Sequence, residues 1–151
     1  MDDPKDIACW QRIDARLTTS GKLVEGDPGR LAALGVRRVI NLALADHPDA
    51  LPGEAAELAA VGIDYVHIPV PFDAPGESHF AAFEAAMADA GEVPVHVHCI
   101  FNWRVSAFLY RWNRTRGMPE TEARDLMRVQ WEPETNSHND APVWARFIAG
   151  D

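Results

Sequence analysis

Apolar residues recur along this chain with two different spacings, and the way the spacings alternate sets the expected architecture. Phe80, Phe83, Met87 and Ala90 return every three or four residues, which predicts an amphipathic helix from Glu77 to Ala90. Val105, Phe108, Leu109 and Trp112 follow the i, i+3, i+4, i+7 pattern and predict a second helix from Arg104 to Arg116, closed by Gly117. Pro119 to Trp131 repeats the pattern through Ala123, Leu126 and Met127. After the polar stretch Asn136 to Asp140, Val143, Trp144 and Phe147 mark a short terminal helix. Upstream, Asp27-Pro28 reads as an N-cap followed by proline at the first helical position, opening a helix through Leu31 and Leu34 that Gly35 stops. Gly53 to Ala60 reads as a further short helix, with Ala55, Leu58 and Ala59 on one face.

Between these helices lie short apolar runs of the length and composition of buried strands. Val36 to Leu44 carries Val39, Ile40 and Leu42; Ile63 to Ile68 forms a second run; Val93 to His98 places Val93, Val95 and Val97 on one face. Pro69 to Gly76 holds three prolines and a glycine and is expected to be a loop. Thr18-Thr19-Ser20-Gly21 also has loop composition, and Asp6 to Leu17 is consistent with a short helix and an early strand. Strands alternate with helices three times after residue 27. The expected fold is therefore α/β: a single domain over residues 1–151, built as a three-layer α/β/α structure with a mostly parallel central sheet.

Composition narrows the function. The chain has 151 residues, of which 47% are hydrophobic and 25% charged, the make-up of a globular domain rather than of a disordered or fibrous chain. A net charge of −9 argues against a nucleic-acid partner, since that binding needs a cationic surface to replace counterions. No apolar run approaches the ~20 residues that span a bilayer, so no membrane partner is expected. The acidic start of the chain lacks the basic-then-apolar pattern of an export signal. The two cysteines, Cys9 and Cys99, lie far apart and suit reduced thiols in a cytoplasm. No oligomeric state is specified by the pattern. Charge is also unevenly distributed. Between Val39 and Trp103 there are ten acidic residues and no Lys or Arg, whereas Arg104 to Arg128 holds six arginines against three acids. The positive segment starts just beyond the strand that ends at His98.

That junction carries the candidate chemistry. His98-Cys99-Ile100-Phe101-Asn102-Trp103-Arg104 places a cysteine at the end of a buried strand and an arginine at the start of a helix. A strand-to-helix loop turns successive backbone N–H groups inward, and the helix start adds unpaired N–H groups and the positive end of its dipole. Arg104 supplies a planar fork of donors for two oxygens of one oxyanion. A thiol at the base of this cradle feels the same field, which favours the thiolate, the nucleophilic form. Asn102 is a residue that tolerates the left-handed backbone region better than most and could stand in for a loop glycine. The bland alternative for Cys99 is a small apolar core residue, and for Phe101 and Trp103 loop packing.

His98-Cys99 followed by four residues and Arg104, between strand and helix, resembles the phosphate-binding loop of the cysteine-dependent protein tyrosine and dual-specificity-like phosphatases. Residues from about Arg12 to Phe147, including Gly35-Val36-Arg37-Arg38-Val39-Ile40-Asn41-Leu42 and Tyr65-Val66-His67-Ile68-Pro69, resemble the compact bacterial branch described as beta-lactamase-hydrolase-like. The resemblance implies a phosphatase architecture, a phosphorylated small molecule or phosphoprotein as substrate, and no cofactor or metal. It implies Cys99 as nucleophile and Arg104 as clamp for the phosphoryl oxygens. The loop residues Ile100, Phe101, Asn102 and Trp103 would cradle the phosphate, with His98 supporting the loop. In the family a hydroxyl directly after the arginine steadies the thiolate; here Val105 takes that place and Ser106 is the nearest hydroxyl. An aspartate on a separate loop protonates the leaving oxygen, and Asp73 in Pro71-Phe72-Asp73-Ala74-Pro75 matches that position, with Glu77 and His79 as fallbacks. The family's loop has five residues between Cys and Arg and contains a glycine; this one has four and none. A four-residue loop also resembles that of rhodaneses, which carry sulfur on a cysteine as a persulfide. Two further readings are a catalytically silent oxyanion-binding module and a metal site built on His96, His98, Cys99 and His67, against which no carboxylate stands at ligand spacing.

Overall fold

The computed structural model describes residues 2–150. Its elements follow in the order β1 (Gln11–Arg12), β2 (Leu17–Ser20), α1 (Asp27–Ala33), β3 (Arg38–Asn41), α2 (Glu54–Ala60), β4 (Asp64–His67), α3 (Glu77–Ala90), β5 (Val95–His98), α4 (Trp103–Thr115), α5 (Glu120–Arg128) and α6 (Ala141–Ala149). One five-stranded sheet has the order β1-β2-β5-β3-β4. Strands β2, β5, β3 and β4 run parallel, and β1 pairs antiparallel with β2.

The connections decide which face each helix covers. From β2 to β3 and from β3 to β4 the chain moves one way across the sheet; from β4 to β5 it moves back. Right-handed crossovers then put α1 and α2 on one face and α3 on the other. The cores agree. Leu31 of α1 and Leu58 of α2 pack with Val39 and Ile63, while Phe80 and Phe83 of α3, Val105 and Phe108 of α4, Met127 of α5 and Trp144 and Phe147 of α6 pack with Ile40 and Val97. Adjacent residues Val39 and Ile40 thus serve opposite cores, as the two-residue period of a strand requires. The three-layer α/β/α architecture and the mostly parallel sheet are as expected.

Four local expectations are corrected. Thr18 to Ser20, expected as loop, lies in the buried strand β2, paired with β5 through Thr18↔His96 and Ser20↔His98. Its polar side chains are tolerated inside because Thr18 Oγ1 and Ser20 Oγ each lie 2.8 Å from a ring nitrogen of His96. His96 therefore packs within the sheet, stacked on Trp10 at 5.1 Å. Asp27 does not cap α1 from outside. It is the first residue of that helix, after Gly26 at φ 91°, and its buried carboxylate accepts from the Val24 N–H. The strands are also shorter than the apolar runs: Pro94 lacks an N–H to pair, so β5 begins at Val95. No helix forms between Asp6 and Leu17; β1 is the early strand there.

Candidate active site

Parallel strands deliver their carboxyl ends to one edge of the sheet, and the loops leaving β3, β4 and β5 meet there. Between them is a cavity of about 410 Å³. Cys99, Ile100, Phe101, Trp103 and Arg104 line it from the β5–α4 loop and the first turn of α4; Leu44 and His47 come from the loop after β3, Phe72 from the loop after β4, and His138 from the α5–α6 loop. The structure thus brings Cys99 and Arg104 to one cavity and, among the described residues, gives it no Lys, no second Arg and no carboxylate.

The β5–α4 loop has a built shape. Asn102 takes up φ 65°, a left-handed conformation, and is the residue from which α4 starts. Its side chain holds it there: Nδ2 donates to the Cys9 carbonyl at 2.9 Å and to Thr19 Oγ1 at 3.0 Å. Ser106 Oγ, expected near the thiol, instead donates to the Asn102 carbonyl at 2.6 Å and lies 3.2 Å from its Oδ1, so it braces the loop rather than the sulfur. The chain at Gly21 passes so close that a Cβ there would lie 2.4 Å from the Ile100 carbonyl oxygen, which accepts from the Lys22 N–H. Among the described residues, the backbone N–H groups from Ile100 through Val105 donate to no protein acceptor, whereas the Cys99 N–H donates to Ser20 at 3.4 Å and the Ser106 N–H closes the first helical turn on Asn102. The first amides of a helix lack intrahelical partners, and a run of unpaired ones leading into a helix start has the form of a nest that can accept an anion.

Cys99 is buried at 1% exposure yet forms part of the cavity wall. Arg104 is also buried. Its Nη1 donates to the Val70 carbonyl at 2.8 Å, and its guanidinium carbon lies 5.8 Å from the Phe72 ring centre. One arm of the fork thus anchors the loop after β4, leaving the remaining donors for an oxyanion. Trp103 stacks on Trp131 at 4.6 Å, and the Trp131 indole donates to the Trp103 carbonyl. Phe101, 61% exposed, stands at the rim.

The structure places Asp73 apart from these groups. It is exposed on the Pro71–Ala74 turn, closed by the Ala74 N–H donating to Pro71, and it does not line the cavity; its neighbour Phe72 does. The fallbacks are occupied: Glu77 pairs with Arg111, and His79 Nδ1 accepts the Gly76 N–H at the start of α3. The histidines of the alternative metal site are engaged as well. His96 bonds Thr18 and Ser20, His67 Nε2 meets the Ala43 carbonyl at 2.7 Å, and His98 lies between Glu54 and the Cys99 carbonyl.

Three contributors escaped the sequence reading. His47 and His138 reach the cavity from loops with no periodic signal; in each, Nδ1 accepts the N–H two residues on, from Asp49 and Asp140, which leaves Nε2–H as the donor. The third is Glu54 at the start of α2. It is buried, with Oε2 2.8 Å from His98 Nε2. The nearby Tyr65 hydroxyl accepts from Asn41, and burial, with Glu54 adding to it, pushes the phenol up to about 12. Burial and then the neighbouring His98 hold His96 well below the ordinary histidine range. Burial, with Cys99 as a second cause, pushes the Cys9 thiol up.

Solved structures share this fold. A candidate phosphatase of the DUF442 family from Shewanella putrefaciens CN-32 is 29% identical, with a TM-score of 0.82 over 95% of this chain and 88% of its own. Tk-PTP in its active form is 20% identical, with a TM-score of 0.72 over 93% and 96% of the two chains. TpbA of P. aeruginosa, in a Cys-to-Ser form in complex with pTyr, is 18% identical, with a TM-score of 0.68 over 97% and 95%. The likeness to the last two is one of fold. No curated protein matches the sequence. The family model of the beta-lactamase hydrolase-like protein, phosphatase-like domain, matches residues 11–113, from β1 through the Cys99–Arg104 loop into α4. The chain belongs to that phosphatase-like family.

Proposed function

We propose that this protein hydrolyses phosphomonoesters through a cysteinyl-phosphate on Cys99. The observation that carries the reading is the run of unpaired N–H groups from Ile100 to Val105, curved between a buried thiol and a buried guanidinium. Such a cradle is shaped for a tetrahedral oxyanion with the sulfur beneath it. Family membership supports the same chemistry.

In the proposed reaction the Cys99 thiolate attacks phosphorus. The S–P bond forms as the P–O ester bond breaks, and the leaving oxygen takes that electron pair and a proton. Arg104 and the loop amides bind the equatorial oxygens, where charge is spread in the transition state. Asp73 is proposed as the proton donor, reaching the leaving oxygen when the Pro71–Ala74 turn moves over the bound substrate. A water molecule then attacks phosphorus and gives its proton to the Asp73 carboxylate, and the S–P bond breaks to return the thiolate. His47 and His138, which line the cavity, would donate through Nε2–H to the rest of the substrate. The substrate is a phosphorylated small molecule or phosphoprotein. Purified protein is expected to release phosphate from an aryl phosphate with chelator present, and Cys99→Ser to abolish the release; full activity in Cys99→Ser overturns the assignment.

One observation favours a second reaction. Among the described residues no carboxylate lines the cavity, and sulfur transfer from thiosulfate through a Cys99 persulfide has no leaving alkoxide to protonate. Measured side by side, aryl-phosphate hydrolysis well above thiosulfate-to-cyanide transfer supports the phosphatase reading, and the reverse replaces it.

A further inference from the structure

We propose that Glu54 is a positioning residue for the nucleophile: its buried carboxylate, from the start of α2, holds His98 as a doubly protonated imidazolium behind Cys99. This rests on Cys99 being the nucleophile. The proton count follows from geometry. His98 is 3% exposed and Glu54 6%, so neither ring nitrogen turns to bulk water. Nε2 faces Glu54 Oε2 at 2.8 Å, and Nδ1 faces the Cys99 carbonyl at 3.2 Å. A carbonyl and a carboxylate both only accept, so a ring with a single proton leaves one contact unmade. Two protons held by the pair satisfy both contacts, either with both on the ring and Glu54 ionised or with one on the ring and one on Glu54, and the pair is neutral as a whole either way.

The surroundings favour charge on Glu54. It lies in the first turn of α2, where unpaired amides and the helix dipole stabilise an anion. The Tyr65 hydroxyl on β4 faces it and keeps its proton. The other titratable neighbours are His96, stacked 6.3 Å from His98 on β5 and kept neutral by burial, and Cys99 itself. The imidazolium thus adjoins the base of the loop, with its Nδ1 3.2 Å from the Cys99 carbonyl. There it draws the Cys99 carbonyl toward itself and favours negative charge on the sulfur. Glu54 touches no substrate; it acts through His98.

The experiment is the pH profile of Cys99 alkylation by iodoacetamide, in a Cys9→Ser background to remove the exposed thiol. Glu54→Gln keeps the shape and removes the charge. The expected result is a midpoint about one pH unit higher, so that the rate at pH values below both midpoints falls about tenfold. A folded Glu54→Gln protein with an unchanged profile overturns the proposal. Should Glu54→Gln fail to fold, nitrogen-15 NMR of the unmutated protein decides: both His98 ring nitrogens protonated at neutral pH support it, and a neutral ring overturns it. Neither readout needs turnover. A protein that hydrolyses no phosphoester but gives both expected results overturns the phosphatase reading and supports the Glu54 role.

Discussion

At the scale of single residues, the proposed mechanism separates groups the fold holds in place from one that it requires to be brought in. Cys99 and Arg104 are buried and fixed to main chain on either side, through Ser20 and Val70. Asp73 is exposed on a turn whose neighbour Phe72 is pinned by the Trp144 indole, which donates to its carbonyl at 2.7 Å. The proposed mechanism therefore asks more of Asp73 than of any other residue. Asp73→Asn is expected to lower kcat by about 10²-fold or more on substrates with a poor leaving group, with KM little changed. Steady-state kinetics on alkyl and nitrophenyl phosphates check this, and an unchanged kcat on both removes Asp73 from the reaction. Arg104→Lys keeps the charge but loses the planar fork. A fall in kcat/KM of about 100-fold is expected, the size of one or two charged hydrogen bonds.

At the scale of elements, the working part is a strand, a loop and a helix braced from the side by β2. The contact at Gly21 makes that bracing close. Any Cβ there meets the Ile100 backbone oxygen, and neither main chain yields easily. Gly21→Ala is expected to destabilise the fold by about 1–3 kcal/mol, the usual cost of forcing extra atoms into a packed site, and to lower turnover. Urea denaturation and kcat/KM measure the two effects; wild-type values for both contradict the account. Helices α3 and α4 and strand β5 were legible in the sequence because a single apolar face dictates their period, and the Cys99–Arg104 spacing was legible because strand and helix fix where a loop begins and ends. β2 was not, since Thr18, Thr19 and Ser20 have the composition of a loop and become a strand only when His96 satisfies two of their hydroxyls. Glu54 was invisible for a related reason. It precedes His98 by 44 residues, and only the fold sets α2 beside the end of β5.

For the whole molecule, the acidic charge and the sheet core govern response to pH and ligand. A net charge of −9 repels anionic partners at long range, so the anion site depends on its local donors. His96 is buried and neutral between Thr18 and Ser20, with its proton affinity depressed relative to the unfolded chain. The unfolded chain therefore takes up a proton as pH falls below about 6.5, while the folded one does not. Stability from this group is complete above that pH and lost below it, with a slope of at most about 1.4 kcal/mol per pH unit. Urea melts from pH 7.5 to 5 are expected to show the loss, and His96→Gln to flatten it; an equal slope in the variant contradicts the assignment. Inorganic phosphate, bound only by the folded cradle, is expected to raise the melting temperature of the wild type but not of Arg104→Ala.

The central claim is that the sulfur of Cys99 takes the phosphoryl group. Rapid quenching in acid during turnover of an aryl phosphate, followed by peptide mass spectrometry, tests it most directly. The account predicts one phosphoryl group on the peptide containing Cys99, absent from Cys99→Ser. Phosphate release with Cys99 unmodified, or with the phosphoryl group on another residue, would contradict it.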